Sequence, residues 1–224
     1  MVRETNPLIR AKRRAGRVKR WLKRRIHDRN VGKQYQAWLA EAAAVPAGTT
    51  SFLTTISIIV PVYNPPVKFL RECLESVVEQ QARNWQLVVA DDGSTSQEVL
   101  DYLAHFEEAH QGDQRIIVVH KENGGISSAL NAALERATGR YVGMLDHDDL
   151  LDRRCIDTFS RVVEANAFPD AVYSDEDKVD ARGQHFELYC KPDFSPELLL
   201  TQMYLCHFTV FTREHVMAVG GLRS

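Results

Sequence analysis

The sequence predicts an α/β protein, a mostly parallel sheet flanked by helices, with a basic helical extension in front of it. Two observations carry this. From residue 56 to about residue 175, five short apolar runs alternate with helical stretches of roughly 12 to 16 residues, the rhythm of parallel strands covered on both faces. The net charge of −2 also hides a division: residues 1 to 50 hold 13 Lys or Arg against Glu4, Asp28 and Glu41, whereas the remaining 174 hold 15 basic and 27 acidic side chains. A basic arm and an acidic body are expected to do different work.

Within the arm, residues 8 to 29 have helical spacing. Ala11, Ala15, Val18, Leu22 and Ile26 form a thin apolar stripe, with Trp21 at its edge and Lys or Arg nearly everywhere else. A second helical stretch follows around Tyr35 to Val45, and "PAGTTS" (46 to 51) reads as a linker. This predicts an extension over 1–50 and a main domain over 54–224. In the domain, "ISIIVPVYN" (56 to 64) is a β-branched buried strand, 67 to 82 a helix, and "QLVVADDGS" (86 to 94) a strand breaking into an acidic loop. A helix over 96 to 109, a strand over 115 to 120 and a helix over 126 to 138 follow, then strand "RYVGML", a helix over 151 to 166 and strand "DAVYSD" (170 to 175). After residue 176 the rhythm breaks. "KVDARGQHFE" resembles a hairpin, "SPELLLTQM" a short helix capped by Ser195 with Pro196 at its first position, and "HFTVFTR" a last strand.

A chain of 224 residues with 44% hydrophobic side chains is long and apolar enough to bury about 70% of its unfolded surface. That excludes a disordered protein. No apolar run approaches the ~18 residues of a membrane span and no signal-peptide core follows the basic N-terminus, so a cytoplasmic protein is expected. Cys73, Cys155, Cys190 and Cys206 are far apart and form no metal-ligand pair, and His207 directly after Cys206 lacks zinc-ligand spacing. Buried free thiols are the expectation.

In open α/β sheets, ligands bind outside the carboxyl ends of the strands. The unusual residues gather there: Pro61, Tyr63 and Asn64 after the first strand, and Asp91, Asp92, Gly93 and Ser94 after the second. Asp146, His147, Asp148 and Asp149 follow the fourth, and Asp175, Glu176 and Asp177 the fifth. Asp-x-Asp at such a position suits Mg²⁺ or Mn²⁺, hard cations shared between carboxylates and substrate phosphates. Asp146 and Asp148 are expected to reach one ion only if the chain turns between them, since on an extended segment they stand roughly 6–7 Å apart. A dication would also relieve the repulsion among these acids. Gly-x-x-x-x-Gly-Lys-Ser/Thr and Gly-x-Gly-x-x-Gly are absent from the sequence, which argues against a P-loop or dinucleotide-binding protein.

Five motifs in order, "ISIIVPVYNP", "QLVVADDGST", "ENGGISSALNAAL", "GRYVGMLDHDDLL" and "VMAVGGLRS", resemble the family 2 glycosyltransferases with the GT-A fold, over about residues 54 to 224. "YSDEDKVD" and "KPDFSPELL" look most like the bacterial branch that builds O-antigen, capsule and related polysaccharides. The resemblance implies metal-dependent, inverting transfer of a sugar from a nucleotide-sugar donor to a glycan or lipid-linked acceptor. It places Pro61, Tyr63, Asn64, Asp91, Asp92, Gly125 and Asp146 at the nucleotide sugar, with Asp92 accepting from the base imide, and Asp146 and Asp148 at the metal. Pro61 and Tyr63 have the alternative role of ending the strand, and Gly124 and Gly125 that of a turn. Two departures stand out. Many members have Ala-Arg-Asn where this chain has Ala129, Leu130 and Asn131, so that arginine's donor contact is absent or supplied elsewhere. The implied catalytic base follows the Gly220–Gly221 pair, beyond Ser224, so the catalytic residue is unknown and the domain is expected to be C-terminally incomplete.

The basic stretch 8–29 suits an anionic membrane surface, which implies a peripheral position at the inner face of the cytoplasmic membrane. Nucleic acid is the weaker partner, because Trp21 is the lone aromatic within the basic run. The competing functions are a nucleotide-sugar-binding module without catalysis and a nucleotidyltransferase. The latter usually carries a Gly-rich basic loop where this chain has "PVYNPPVK".

Overall fold

Seven residues without a charge among them, Ile56–Val62, form β1, and every one is buried. A strand buried on both faces must lie inside a sheet. In the computed structural model, which describes residues 32–41 and 51–223, β1 pairs in parallel with β2 (Trp85–Asp91) and with β4 (Tyr141–Met144). β3 (Ile116–His120) extends the sheet parallel to β2. On the other side β8 (Thr209–Thr212) runs antiparallel between β4 and β5 (Ala171–Tyr173), giving the order β3-β2-β1-β4-β8-β5. The sheet is mostly parallel, as expected, with β8 antiparallel to both of its neighbours. The last strand of the sequence is inserted inside it, which leaves β5 running in the same direction as β4.

Alternation along β1 sorts its side chains to two cores. Ile56, Ile58, Val60 and Val62 pack with Leu70, Cys73, Leu74 and Val77 of α2 (Val67–Val78), and with Val99, Leu103 and Phe106 of α3 (Gln97–Ala109). α5 (Cys155–Ala165) joins this core through Ile156, Phe159 and Val163. Ile59 instead meets Ala129, Leu130, Ala133 and Leu134 of α4 (Ile126–Arg136) on the opposite face. Truncating a fully buried leucine here, such as Leu74→Ala, is expected to cost about 2–5 kcal/mol.

β4 carries a glycine at a point of close approach. A Cβ on Gly143 would overlap the ring of Phe208, which also packs edge-on against Phe159 with centroids 5.4 Å apart. The ring just ahead of β8 thus fills the space left by the missing side chain on β4.

α5 begins at Cys155, four residues later than its periodicity suggests, because Asp152 turns the chain first. The Asp152 carbonyl accepts from Cys155 N (2.8 Å) and Gln80 Nε2 (2.7 Å). The remaining elements are β6 (Glu176–Val179) and β7 (His185–Tyr189), the expected hairpin, with α6 (Pro196–Leu199) and α7 (Arg213–Ala218). Ser195 caps α6, its Oγ accepting from Leu198 N. α7 lacks a counterpart in the sequence reading.

The chain divides into two units, Met1–Pro46 with Asp177–Glu187, and Ala47–Glu176 with Leu188–Ser224. In the first, residues 32–41 form α1, where Gln36 Nε2 donates to the His185 carbonyl at 2.8 Å and Tyr35 donates to Asp177. The basic stretch 8–29 lies outside the described residues. Among the described residues, no helix is long and apolar enough to cross a membrane. All four cysteines are free, but Cys190 and Cys206 are exposed rather than buried.

Candidate functional site

Strand order reverses at β1, which has β2 on one side and β4 on the other. Helices on opposite faces must diverge at such a point, which opens a crevice beyond the carboxyl ends of the strands. The residues at the ends of β1, β2 and β4 stand at that end of the sheet.

Asn64, just past β1, has positive φ (49°) and reaches across to the loop after β2. Its Oδ1 accepts from both Thr95 N and Ser96 N at 2.8 Å, and its own N–H donates to Ser94 Oγ at 3.1 Å. Asn64 therefore ties two strand ends together and satisfies free N–H groups at the start of α3. Tyr63 beside it is exposed, while Pro61 is buried within β1.

Asp91, the last residue of β2, and Asp92 after it are both buried and face different partners. Asp91 accepts from Ser94 N at 3.0 Å and lies 3.0 Å from Nδ1 of His120, whose Nε2 is 3.3 Å from Glu107. Burial works against a charged His120, but the hydrogen bonds to Asp91 and Glu107 outweigh it and raise its pKa above the usual value. Asp92 meets the Lys121 ammonium at 2.6 Å, Gly124 N at 3.0 Å and Gly125 N at 2.7 Å. Burial would raise its pKa, yet the Lys121 bond and these two N–H groups hold it below the normal carboxylate range. The N–H groups belong to the start of α4, where the helix dipole also favours an anion.

Past β4 the chain turns back, Asp149 N donating to the Asp146 carbonyl at 3.1 Å. This turn brings the carboxylate of Asp149, rather than that of Asp148, to the carboxylate of Asp146. His207, just ahead of β8, completes the group, its Nε2 lying 3.2 Å from Asp146 and 3.6 Å from Asp149. One donor atom from each of the three lies within 4.8 Å of the others. The His207 bond lowers the pKa of Asp146. Asp149 is raised, first by burial and then by the charges of Asp146, Asp148 and Glu176, against the lowering effect of His207. Burial, and then the charges of Asp149, Asp148 and Asp146, push the Cys73 thiol up; it donates to the Asp146 carbonyl at 3.4 Å and stays a neutral thiol.

This group fits a divalent cation on the chemistry of its donors. Two carboxylate oxygens and one imidazole nitrogen suit Mn²⁺ and its neighbours, with Mg²⁺ favouring an all-oxygen set. The acids repel one another, and a dication would reverse that interaction. Asp148 is exposed and stands outside the group. His207 is the member of this candidate group that the sequence did not single out. Its one signal was a position just before a strand, which acquires meaning only once β8 is known to lie beside β4.

A family model described as Glycosyl transferase family 2 matches residues 57–220. The O-antigen biosynthesis protein RfbC of Myxococcus xanthus is 34% identical over 198 residues, 85% of this chain and 15% of that protein. The chain spans less than a quarter of the length of the first curated relatives it matches. Among solved structures, S. aureus TarS 1-349 in complex with UDP-GlcNAc superposes with a TM-score of 0.58 at 21% identity, covering 74% of this chain and 47% of that one. The mannosyltransferase PcManGT of Pyrobaculum calidifontis, in complex with GDP-Man and Mn²⁺, gives 0.54 at 22% identity, covering 87% and 56%. At these identities the likeness is one of fold, the GT-A arrangement of a mostly parallel sheet flanked by helices.

Proposed function

Since the chain belongs to glycosyl transferase family 2, we propose that it binds the donor in a metal-dependent, inverting transfer of sugar from a nucleoside diphosphate sugar to a glycan or lipid-linked acceptor, in cell-surface polysaccharide synthesis. The observation that carries this reading is the Asp146–Asp149–His207 group at the carboxyl end of β4, with Asp91 and Asp92 at the carboxyl end of β2 on the other side of β1. RfbC, named for O-antigen biosynthesis, supports the pathway class. TarS with UDP-GlcNAc and PcManGT with GDP-Man and Mn²⁺ support the donor class and the cation.

The residues then take roles. Asp146, Asp149 and His207 hold the cation, with Asp148 adding negative charge at the exposed rim. When bound, the cation acts as a Lewis acid that offsets charge on the departing nucleoside diphosphate. Pro61, Tyr63 and Asn64 form one wall for the nucleotide, Tyr63 offering its exposed ring to the base. Asp91 and Gly125 shape the opposite wall. Asp92 accepts from the base imide. Its two oxygens already have protein donors, so the base displaces the Lys121 ammonium from Oδ1, a side chain being easier to move than the backbone N–H groups. The segment 8–29 holds this cytoplasmic enzyme to an anionic membrane surface, each Lys or Arg contributing about 1 kcal/mol there.

Calorimetry with UDP-, GDP- and dTDP-sugars, with and without Mn²⁺, tests the proposal. At least one donor is expected to bind, and to bind more weakly once the metal is chelated. If none binds in the presence of Mn²⁺, the donor-site reading fails.

A further inference from the structure

Three segments cross beside His207. The end of β5 meets the strand of chain before β8: Ser174 N donates to the Phe208 carbonyl at 3.1 Å, and Phe208 N to Ser174 Oγ at 3.3 Å. The stretch after β7 joins them. Tyr173 OH donates to the Pro192 carbonyl at 2.7 Å, and Lys191 N to Asp175 Oδ1 at 2.7 Å. At the centre lies the Lys191 side chain, 1% exposed, with its ammonium 3.0 Å from Glu176 Oε2. That ammonium also donates to the carbonyls of Leu205 (2.6 Å) and His207 (2.7 Å). Glu176 Oε2 in turn accepts the His207 N–H at 3.3 Å.

We propose that Lys191 and Glu176 are a positioning pair for the metal site, holding His207 by its own backbone so that its imidazole meets Asp146 and Asp149. The inference rests on the reading of those three residues as cation donors.

The usual way to orient a metal-binding histidine is a hydrogen bond to its second ring nitrogen. His207 lacks one: its Nδ1 is buried without a hydrogen-bond partner. Orientation has to come from elsewhere, and the clasp supplies it. Glu176 takes the N–H of His207 while Lys191 takes its C=O, so both peptide groups that flank the imidazole are fixed. Lys191 itself is no ligand for substrate. Its three protons have three acceptors, which is all an ammonium can serve, and almost none of its side chain is exposed. Fold stability alone is a poor reason for the pair, because a buried ion pair is often matched or bettered by apolar side chains of similar volume. What apolar residues cannot do is grip both polar groups of one backbone residue.

The test is Mn²⁺ affinity of the full chain without nucleotide, read by electron paramagnetic resonance, alongside thermal unfolding. Lys191→Met is expected to weaken Mn²⁺ binding by about 10- to 100-fold, the range for lost outer-sphere support, and Lys191→Arg to recover part of it. Leu103→Ala, in α3 away from the site, should lower the unfolding temperature and leave Mn²⁺ affinity unchanged. If Lys191→Met does not fold, Glu176→Gln gives the deciding measurement, with a loss of affinity expected. Wild-type Mn²⁺ affinity in a folded Lys191→Met or Glu176→Gln chain overturns the positioning role alone. Absence of Mn²⁺ binding by the wild type overturns the donor-site reading and the inference with it.

Discussion

Asn131 holds Leu222 by both ends of its side-chain amide, Oδ1 accepting from the Leu222 N–H at 2.8 Å and Nδ2 donating to its carbonyl at 2.9 Å. Ser127 Oγ adds a bond to the Arg223 carbonyl at 2.8 Å. The chain after the glycine pair is thereby laid along α4. Gly221 is required for the approach: its φ is +77°, and a Cβ there would sit 2.5 Å from Asn131 Oδ1. Gly221→Ala is expected to destabilise by about 1 kcal/mol or more. Asn131→Leu, which strands both Leu222 groups, should cost about 1–3 kcal/mol locally. Amide exchange at Leu222 should quicken in both variants.

Metal affinity separates the acids of the β4 turn. Asp149→Asn and His207→Ala are each expected to weaken Mn²⁺ binding at least about tenfold, the scale on which loss of metal-site support is felt. Asp148→Asn, changing an exposed side chain outside the group, should have the smallest effect of the three. Calorimetric titration with Mn²⁺ gives the order directly.

The clasp at Asn64 combines a positive φ with two accepted N–H bonds. Asn64→Ala loses both, at about 1–2 kcal/mol for the cap-like bonds and about 1–2 more for the left-handed backbone. Asn64→Gly keeps the backbone free and should recover only that second part. Denaturant unfolding of the two variants measures the difference.

His120 makes the loop after β2 sensitive to pH. Its folded pKa is raised by Asp91 and Glu107 in spite of burial. The bridge therefore stabilises fully below the unfolded value of about 6.5 and fades as pH rises through the folded value. The gap in unfolding temperature between the wild type and His120→Gln should be larger near pH 6 than near pH 8.5. An equal gap at both would show that the charge on His120 contributes nothing.

Local order was legible wherever one stretch of sequence contains its own cause. β1 and β2 show as mostly apolar runs, α2 and α4 as apolar faces at helical spacing, and the Ser195 cap with Pro196 marks the start of α6. Placement of Tyr63 and Asn64 after β1, and of the acids at the ends of β2 and β4, followed from the direction of parallel strands. What stayed hidden depends on segments distant in sequence. Nothing within "HFTVFTR" says that β8 slots between β4 and β5 in reverse, and so nothing brought His207 to Asp146. The preference for Asp149 over Asp148 arises from a tight turn closed by Asp149 N on the Asp146 carbonyl. α7 is short and its residues are at most partly buried, so it left no apolar face to read.

The ring of Phe208 occupying the space above Gly143 makes these two positions a single unit of inheritance. A side chain gained at 143 must be matched by one lost at 208, and a mutation at either alone meets a penalty that its partner can lift. Among descendants of this sequence the pair should drift together, small with large and large with small. Because residue 208 follows His207 directly, that drift carries the imidazole with it. Variation in a packing contact within the sheet becomes variation in the geometry at the mouth of the crevice.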